Sequence, residues 1–318
     1  MSRVHRGIMG VPGARMGLIG QWNSGTGPED VLTVCRFRLR GVADGVVVGV
    51  PMTPEDMLAD QDRAVDRMQR AVSLAGPVSA VGLGSLCAVV GGRGDALAER
   101  LPMPVTNGGA ATAWALLQNV RTVCAARGSA EVAIVGSRSP VGQAVMQWLV
   151  DDGIRVIVDH PRAARGHDVT VCRTAAAAAA RAPVVVGAGP TGGTVPGDCL
   201  QPGSVVVDVA IPGTVTGPID PSVRVLAGEA VSLPIGWEKG FWGQLYHVLS
   251  GYGPRQVFAC LIEPLVLACS ERSQPYSIGR RLTAEDVDAF GIAAKKRGFE
   301  PRLAQGWRAV RAEELARA

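Results

Sequence analysis

Residues 131–160 have the sequence EVAIVGSRSPVGQAVMQWLVDDGIRVIVDH, and this stretch decides the fold class of the 318-residue chain. The apolar run VAIV predicts a buried strand, GSRSPVG a glycine turn, VGQAVMQWL a helix, and RVIV a second strand. A strand, a glycine turn, a helix and a second strand form the unit that binds dinucleotides in parallel α/β sheets. The stretch therefore predicts a parallel sheet with a ligand at its glycine turn.

Three further apolar runs follow this stretch: VTVC (169–172), VVVGAG (184–189) and VVVDVA (205–210). Strands that are apolar along their whole length belong to parallel sheets that helices cover on both faces. The predicted fold class is α/β, with a Rossmann-like doubly wound parallel sheet as the cofactor domain.

The segments on either side complete the predicted organisation. Before the central stretch come three apolar strands between residues 16 and 51 and one helix that Thr53 opens as its N-cap. After it come a glycine-rich loop over a site at 236–256 and two helices, at 254–272 and 283–299. We expect an α/β substrate and catalytic domain, a Rossmann dinucleotide-binding domain, and a helical C-terminal part that carries the nucleophile and packs back on the first domain. Their bounds are 1–125, 126–232 and 233–318.

The glycine turn keeps the outer positions of a GxxGxxG motif at Gly136 and Gly142, with Ser139 at the middle position. In such turns the helix N-terminus presents its amides to a pyrophosphate. A βαβ turn without a ligand is the alternative. The candidate cofactor-binding residues are Gly136, Ser137, Arg138, Ser139, Pro140, Val141, Gly142, Asp159, Arg162, Gly187 and Ala188.

Charged residues near the turn give conflicting signals for the cofactor. Arg138, Arg162 and Arg165 suit the 2′-phosphate of NADPH, whereas Asp159 stands where a carboxylate accepts the ribose hydroxyls of NADH. The three arginines favour NADPH, with NADH as the alternative.

Composition excludes several classes of protein. The formal charge of +4 is too small for wholesale nucleic-acid binding. The seven cysteines and four histidines show no zinc spacing, so we expect no metal. No apolar stretch reaches the roughly 18 residues that span a bilayer, and we expect a cytoplasmic protein without integral membrane contact.

Several motifs resemble the long-chain acyl-[acyl-carrier-protein] reductases that form fatty aldehydes. The family pattern is an F-A-C-x-x-E helix, an S-x-G-R turn and a K-x-G-F close, which here are FACLIE, SIGR and KRGF. MGLIGQW, VTNGGAATAW and VAIVGSRSPVGQAVMQWL are also similar to that family, and the resemblance spans about residues 16–303. GSRSPVG, DVTVCRT and PGSVVVDVAIP resemble the cofactor half of methylenetetrahydrofolate dehydrogenases, in which a serine-containing loop binds NADP.

The first resemblance implies NADPH-dependent reduction of an acyl thioester, on an acyl carrier protein or coenzyme A, to an aldehyde. It places the acyl-enzyme nucleophile at Cys260 and a supporting glutamate at Glu263, and it matches Thr106 in the loop VTNGG. Asn107 and Gly109 depart from the family's T-T-G-N text, which leaves the role of this loop open. Two alternatives are a dehydrogenase of another substrate without a covalent step and a non-catalytic binding protein.

Cys260 has a second interpretation, because a cysteine on an apolar helix face is usually a buried packing residue. Pro264 lacks the N–H that would bond the carbonyl of Cys260, so it predicts a kink or restart of the helix beside the sulfur.

The sequence also predicts a basic surface near the C-terminus. Its residues are Lys295, Lys296, Arg297, Arg302, Arg308 and Arg311. This surface would steer an acidic carrier protein toward the site, although a solvated helix face explains the same residues equally well. Assembly of the chain into a homo-oligomer is a further possibility that the sequence leaves open.

Overall fold

The structure is a computed structural model that describes residues 15–22, 31–39, 43–190, 192–233, 237–239, 256–270, 272–306 and 308–316. The chain divides into two compact units. Unit 1 comprises Met1–Ala111, Ser232–Leu282 and Asp286–Phe299, and unit 2 comprises Thr112–Val231, Thr283–Glu285 and Glu300–Ala318.

The described residues form the following strands and helices. The strands are β1 (Arg15–Trp22), β2 (Leu32–Leu39), β3 (Ala43–Pro51), β4 (Ala80–Leu83), β5 (Val105–Thr106), β6 (Glu131–Val135), β7 (Arg155–Val158), β8 (Thr170–Val171), β9 (Val184–Gly187), β10 (Val195–Pro196), β11 (Val205–Asp208), β12 (Val215–Thr216), β13 (Arg224–Ala227), β14 (Ala230–Ser232), β15 (Trp237–Lys239), β16 (Gln256–Phe258), β17 (Glu300–Pro301), β18 (Ala304–Gln305) and β19 (Arg308–Ala309). The helices are α1 (Pro54–Ala59), α2 (Gln61–Ala75), α3 (Val90–Arg93), α4 (Asp95–Ala98), α5 (Gly109–Arg127), α6 (Pro140–Asp151), α7 (Ala175–Ala179), α8 (Ile262–Ala268), α9 (Ala284–Lys296) and α10 (Ala312–Leu315).

Unit 2 is built on an eight-stranded sheet with the order β19-β18-β13-β11-β9-β6-β7-β8. The six strands from β13 to β8 pair in parallel. Numbered along the chain from β6, these strands lie in the order 6-5-4-1-2-3, which is the doubly wound order read from the other edge. Val184, Val185 and Val186 of β9 are fully buried, as a strand covered on both faces must be. The predicted Rossmann-like α/β fold is confirmed.

Unit 1 carries a six-stranded sheet with the order β15-β2-β3-β1-β4-β5. β3, β1, β4 and β5 pair in parallel, whereas β2 pairs antiparallel with β3 and with β15. The valines of β3 are buried, and α2 packs against this part of the sheet. The strands predicted between residues 16 and 51 are thus confirmed.

The single helix predicted after Thr53 is instead two helices, α1 and α2. The Thr53 side chain caps α1 by accepting from the amide of Asp56 at 3.0 Å, as predicted. Asp60 then leaves the helical conformation, and its carboxylate accepts from the amide of Arg63 at 3.0 Å. The chain therefore starts a new helix at Gln61 with a second N-cap.

The helix predicted over 254–272 is wrong over its first part, whereas the kink or restart predicted at Pro264 is confirmed. The described chain there forms β16, a short 3-10 helix at Ala259–Leu261 and then α8. Pro264 explains the break, because a proline fits the first turn of a helix but cannot follow a preceding helical turn. The second predicted helix, at 283–299, is confirmed as α9.

Most of the predicted loop at 236–256 lies outside the described residues, which include only β15 and Gln256 of it. In the described ranges, no helix has the length and apolar character needed to cross a bilayer.

Candidate functional site

Unit 1 brings the three predicted catalytic residues to one place. Thr106 ends β5, Cys260 lies in the 3-10 helix, and Glu263 lies in the first turn of α8. Thr106 and Glu263 are fully buried, whereas Cys260 is half-buried. A partly accessible sulfur thus lies close in sequence to a buried carboxyl group.

Both carboxyl oxygens of Glu263 accept hydrogen bonds from other segments of unit 1. Oε1 accepts from the hydroxyl of Thr106 and, at 2.7 Å, from the hydroxyl of Ser277. Oε2 accepts from the amide of Ala111 at 3.0 Å, at the start of α5, where the positive end of the helix favours a carboxylate. Glu263 therefore joins α8 to β5, to α5 and to the segment around Ser277.

Burial changes the proton affinity of this carboxyl group. Loss of solvent raises the pKa of Glu263 above its ordinary value, and the hydrogen bonds from Thr106, Ala111 and Ser277 partly oppose the rise. Glu263 consequently holds a proton to a higher pH than an exposed glutamate does.

Gly108 lies directly against Cys260. Its φ is +76°, and a Cβ built there would stand 2.5 Å from the Cβ and 2.8 Å from the Cα of Cys260. The amide of Gly108 donates to the Thr106 hydroxyl at 3.1 Å. Only glycine fits this position, so the loop at 106–109 packs its backbone on the residue that bears the sulfur.

Asn107, the departure from the family text, ties the same loop to two other segments. Its Nδ2 donates to the carbonyl of Arg93 at 3.2 Å and to the carbonyl of Gly279 at 3.1 Å. Its Oδ1 accepts from the amide of Gly109 at 3.1 Å. Asn107 thus has a structural role that the sequence comparison left open.

Pro264 packs on the sheet of unit 1. A Cβ at Gly82 of β4 would stand 2.5 Å from Cγ of Pro264. Helix α8 and the strand therefore approach each other at a distance that only a glycine allows.

Other described cysteines lie in settings that disfavour a thiolate. Burial raises the pKa of Cys87 to about 12, and burial with the negative charge of Asp152 raises the pKa of Cys124 to about 11. Burial also raises the pKa of Cys269, although Arg297 opposes this. At neutral pH these three thiols stay protonated.

In unit 2, the glycine turn forms as predicted, but protein groups bond its amides. The carboxylate of Asp159 accepts from the amide of Gly136 at 2.8 Å, from the amide of Ser137 at 3.2 Å, and from the Ser137 hydroxyl. The hydroxyl of Ser139 accepts from the amide of Gly142 at 2.9 Å and donates to the carbonyl of Ala188 at 2.7 Å. Asp159 and Ser139 thus bond the amides that were expected to face a pyrophosphate.

The remaining predicted residues of this turn lie around it. Arg138 and Arg162 are exposed, Pro140 and Val141 begin α6 half-buried, and Ala188 is buried. The cofactor-binding role of these residues stays a prediction.

Gly187 packs on a carboxylate that the sequence reasoning missed. A Cβ there would stand 2.2 Å from Oδ1 of Asp208 and 2.3 Å from Oγ1 of Thr214. Asp208 accepts from the amide of Thr214 at 2.6 Å, from its hydroxyl at 2.8 Å and from the amide of Ala210 at 2.9 Å. The only signal in the sequence was an aspartate that ends the apolar run VVVD.

Among the described side chains, no group of three or more His, Cys, Asp or Glu residues is arranged to hold a metal ion.

Comparison with known proteins finds similarity to an aminotransferase and a distant structural likeness to a reductase. No model of a known protein family matches the chain. The aminotransferase PigE of Serratia sp. (strain ATCC 39006) is 28% identical over 278 residues, which are 80% of this chain and 32% of the relative. The chain therefore spans about a third of the length of that relative. The structure of glutamyl-tRNA reductase from Methanopyrus kandleri aligns with 18% identity and a TM-score of 0.27, over 53% of this chain and 47% of that one.

These comparisons correct the expected activity and cofactor. The relative is named for amino-group transfer, a reaction without hydride transfer from a nicotinamide. The resemblance to acyl-[acyl-carrier-protein] reductases and to methylenetetrahydrofolate dehydrogenases is thus wrong as an identification. The expected reduction of a thioester to an aldehyde and the expected NADPH or NADH are wrong with it.

The FACLIE and SIGR motifs did not identify the reaction. Their residues Glu263, Ser277 and Gly279 hold segments of the scaffold together, and a scaffold does not specify a reaction.

The prediction that the chain is an enzyme has support from the relative, which is itself an enzyme.

Proposed function

We propose that this chain is an enzyme, or one domain of an enzyme, that binds a carbonyl compound covalently through the sulfur of Cys260. The sulfur forms a bond to the carbonyl carbon, the carbon–oxygen double bond becomes a single bond, and the thiol proton passes to the oxygen. This addition needs no oxidant or reductant. Cysteine is the side chain best suited to it, because its thiolate is a strong nucleophile.

The close approach of Gly108 to Cys260 carries this proposal. A left-handed glycine whose Cβ would stand 2.5 Å from the Cβ of Cys260 brings bare backbone against this half-buried cysteine. A cysteine that only fills space in a core needs no such loop, and fully buried Cys87 shows that packing role in this same unit.

Glu263 and Thr106 support the proposal as positioning residues. Through its bonds to Thr106, Ala111 and Ser277, Glu263 fixes the loop that contacts Cys260. A buried network with every oxygen bonded is rigid, which holds the loop in one geometry.

The named relative supports a carbonyl substrate. Amino-group transfer converts a carbonyl group into an amine or the reverse, so a protein related to an aminotransferase is expected to handle carbonyl compounds. Because the match covers 32% of that relative, this link is part of the proposal.

Transamination by this chain itself is a poorer fit to its residues. Pyridoxal phosphate is held by aminotransferases through an imine with a lysine in the site. The sequence has three lysines: Lys295 and Lys296 are exposed in the last turn of α9, and Lys239 lies in β15, whose side chains are outside the described residues. The described side chains therefore do not fit this cofactor.

Carbon-13 spectroscopy tests the covalent addition. We expect acetaldehyde and acetone labelled at the carbonyl carbon to give a protein-bound tetrahedral carbon signal with the native chain. The signal should vanish in Cys260→Ala and persist in the matched control Cys269→Ala, whose thiol has a raised pKa. Equal signals from both variants, or no signal from the native chain, would contradict the proposal.

The proposed reaction requires Cys260 as a free thiol. We therefore also propose that the chain works in a thiol-reducing compartment such as the cytoplasm.

A further inference from the structure

The SIGR turn at 277–280 has a partner in the segment that contains Arg93. Arg93 has a φ of +66° within a run of left-handed residues, with Gly91 at +58°, Gly92 at +69° and Gly94 at +96°. A left-handed arginine costs backbone energy, and such residues are concentrated at functional sites. The left-handed backbone of Arg93 therefore indicates a role for its side chain.

Backbone contacts bring Arg93 close to the SIGR turn. The amide of Gly279 donates to the carbonyl of Arg93 at 3.2 Å. The side chain of Asn107 donates to the carbonyls of both residues, at 3.2 Å and 3.1 Å. Arg280, the next residue, is thereby placed near Arg93.

The two arginines form a local excess of positive charge. Arg93 is half-buried and Arg280 is exposed. Burial lowers the pKa of Arg93 below its ordinary value, and the nearby positive charge of Arg280 lowers it further. The ion pairs within the described part of the chain involve other arginines. Asp95 is a nearby acid, and its carboxylate faces the backbone of Gly279.

The same contacts connect the backbone of the two arginine segments to the backbone of Cys260. Asn107 bonds Arg93 and Gly279 on one side and precedes Gly108, which lies against Cys260. We propose that Arg93 and Arg280 bind an anionic group, a carboxylate or a phosphate, of the molecule that Cys260 attacks. This inference rests on the proposed function and adds the charge of its substrate. An arginine pair suits both anions, because each guanidinium donates in a planar fork.

Two alkylating reagents that differ in charge test this inference. Iodoacetate is anionic and iodoacetamide is neutral. With either reagent, the sulfur of Cys260 forms a bond to the methylene carbon, the carbon–iodine bond breaks, iodide leaves, and the thiol proton passes to the solvent. Peptide mass spectrometry gives the rate of each reagent at Cys260. The intrinsic reactivity of the thiol cancels in the ratio of the two rates, because both reagents react with the same sulfur. We expect Arg93→Gln with Arg280→Gln to lower the iodoacetate to iodoacetamide ratio about fivefold at low ionic strength.

Matched variants separate charge from folding. Arg93→Lys with Arg280→Lys keeps the charge and should keep most of the ratio. Arg70→Gln removes one positive charge from the exposed face of α2 and should leave the ratio unchanged, whereas Arg93→Gln or Arg280→Gln alone should lower it. An unchanged ratio in the double glutamine variant would overturn the inference, whereas failure of Cys260 to react with iodoacetamide would overturn the proposed function instead.

Protection distinguishes the two sources of the anion. Inorganic phosphate that slows labelling of Cys260 in the native chain, and not in the double glutamine variant, would assign a phosphate. The same pattern with acetate alone would assign a carboxylate. No protection of the native chain by either anion, at concentrations that leave labelling of the double glutamine variant unaffected, would overturn the inference.

Discussion

At the scale of single residues, Glu263 explains why the site has one geometry. Three donors, the Thr106 and Ser277 hydroxyls and the Ala111 amide, converge on its two oxygens. A glutamine would present an N–H₂ group to at least one of these donors. The carboxyl group is therefore required by its neighbours and not only by its size.

The variant Glu263→Gln tests this requirement. Leaving a buried donor without an acceptor should lower the free energy of unfolding by about 1–3 kcal/mol. Urea denaturation measures the loss, and the exposed Glu99→Gln is the matched control with no expected change. A glutamine variant as stable as the native chain would show that the carboxyl group is dispensable.

The same group predicts a dependence of stability on pH. Because burial raises the pKa of Glu263 in the folded chain, the folded state holds the proton above the ordinary pKa of a glutamate while the unfolded state loses it. Unfolding then releases a proton in this window, so stability falls as the pH rises through it. Denaturation curves over this range should show the fall, and Glu263→Gln should reduce it.

Gly108 gives a second residue-scale prediction. Gly108→Ala should slow alkylation of Cys260 and destabilise the chain, because a Cβ would stand 2.5 Å from the Cβ of Cys260. Gly153→Ala is the matched control, since Gly153 has the same φ of +76° and no atom within 4 Å of the new Cβ. The difference in urea stability between the two variants isolates the contact from the backbone strain of about 1 kcal/mol. Equal losses would refute the contact.

The sequence predicted these residues unevenly. Cys260, Glu263 and Thr106 were chosen as one site, and the structure does join Thr106 to Glu263 and Gly108 to Cys260. Asp208 was missed because side-chain bonds across a loop leave no periodic pattern. Asp159, the acceptor expected for the ribose hydroxyls, bonds the amides of its own turn.

At the scale of elements, the junction of α8 with β4 shows how a proline positions the site. The sequence predicted a helix over 254–272 with a kink or restart at Pro264, and α8 indeed begins at Ile262 with Pro264 in its first turn. The ring of Pro264 then lies against Gly82. The proline predicted this break, whereas the apolar pattern alone did not, because helix and 3-10 turns bury similar faces.

A double-mutant cycle tests this junction. Gly82→Ala should lower the free energy of unfolding by about 1–3 kcal/mol, since its Cβ would stand 2.5 Å from the Pro264 ring. Adding Pro264→Ala should recover part of the loss, because the clashing ring atoms are gone. Additive effects of the two substitutions would show that the elements do not touch there.

At the scale of the whole molecule, the parallel sheet of unit 2 was the most predictable part. Continuous apolar strands and a glycine turn specify a doubly wound sheet through the physics of burial alone. The reaction was not predictable in the same way, because similar scaffolds support many chemistries.

The basic surface shows the same limit of a sequence pattern. Arg302 pairs with Glu300 and Arg308 pairs with Glu314, so nearby acids offset part of the positive charge expected in unit 2. In unit 1, Arg297 donates to the carbonyls of Ala293 and Cys269. Steering of an acidic partner by these residues stays a prediction.

The central claim is that Cys260 is the reactive nucleophile of an enzymatic site. Timed labelling of the native chain with iodoacetamide at neutral pH, read cysteine by cysteine by peptide mass spectrometry, tests it most directly. The account predicts that Cys260 is modified before Cys87 and Cys124, whose pKa values burial raises to about 12 and about 11, and that its modification abolishes carbonyl addition. Labelling of Cys260 no faster than these buried thiols, or undiminished carbonyl addition after its modification, would contradict the account.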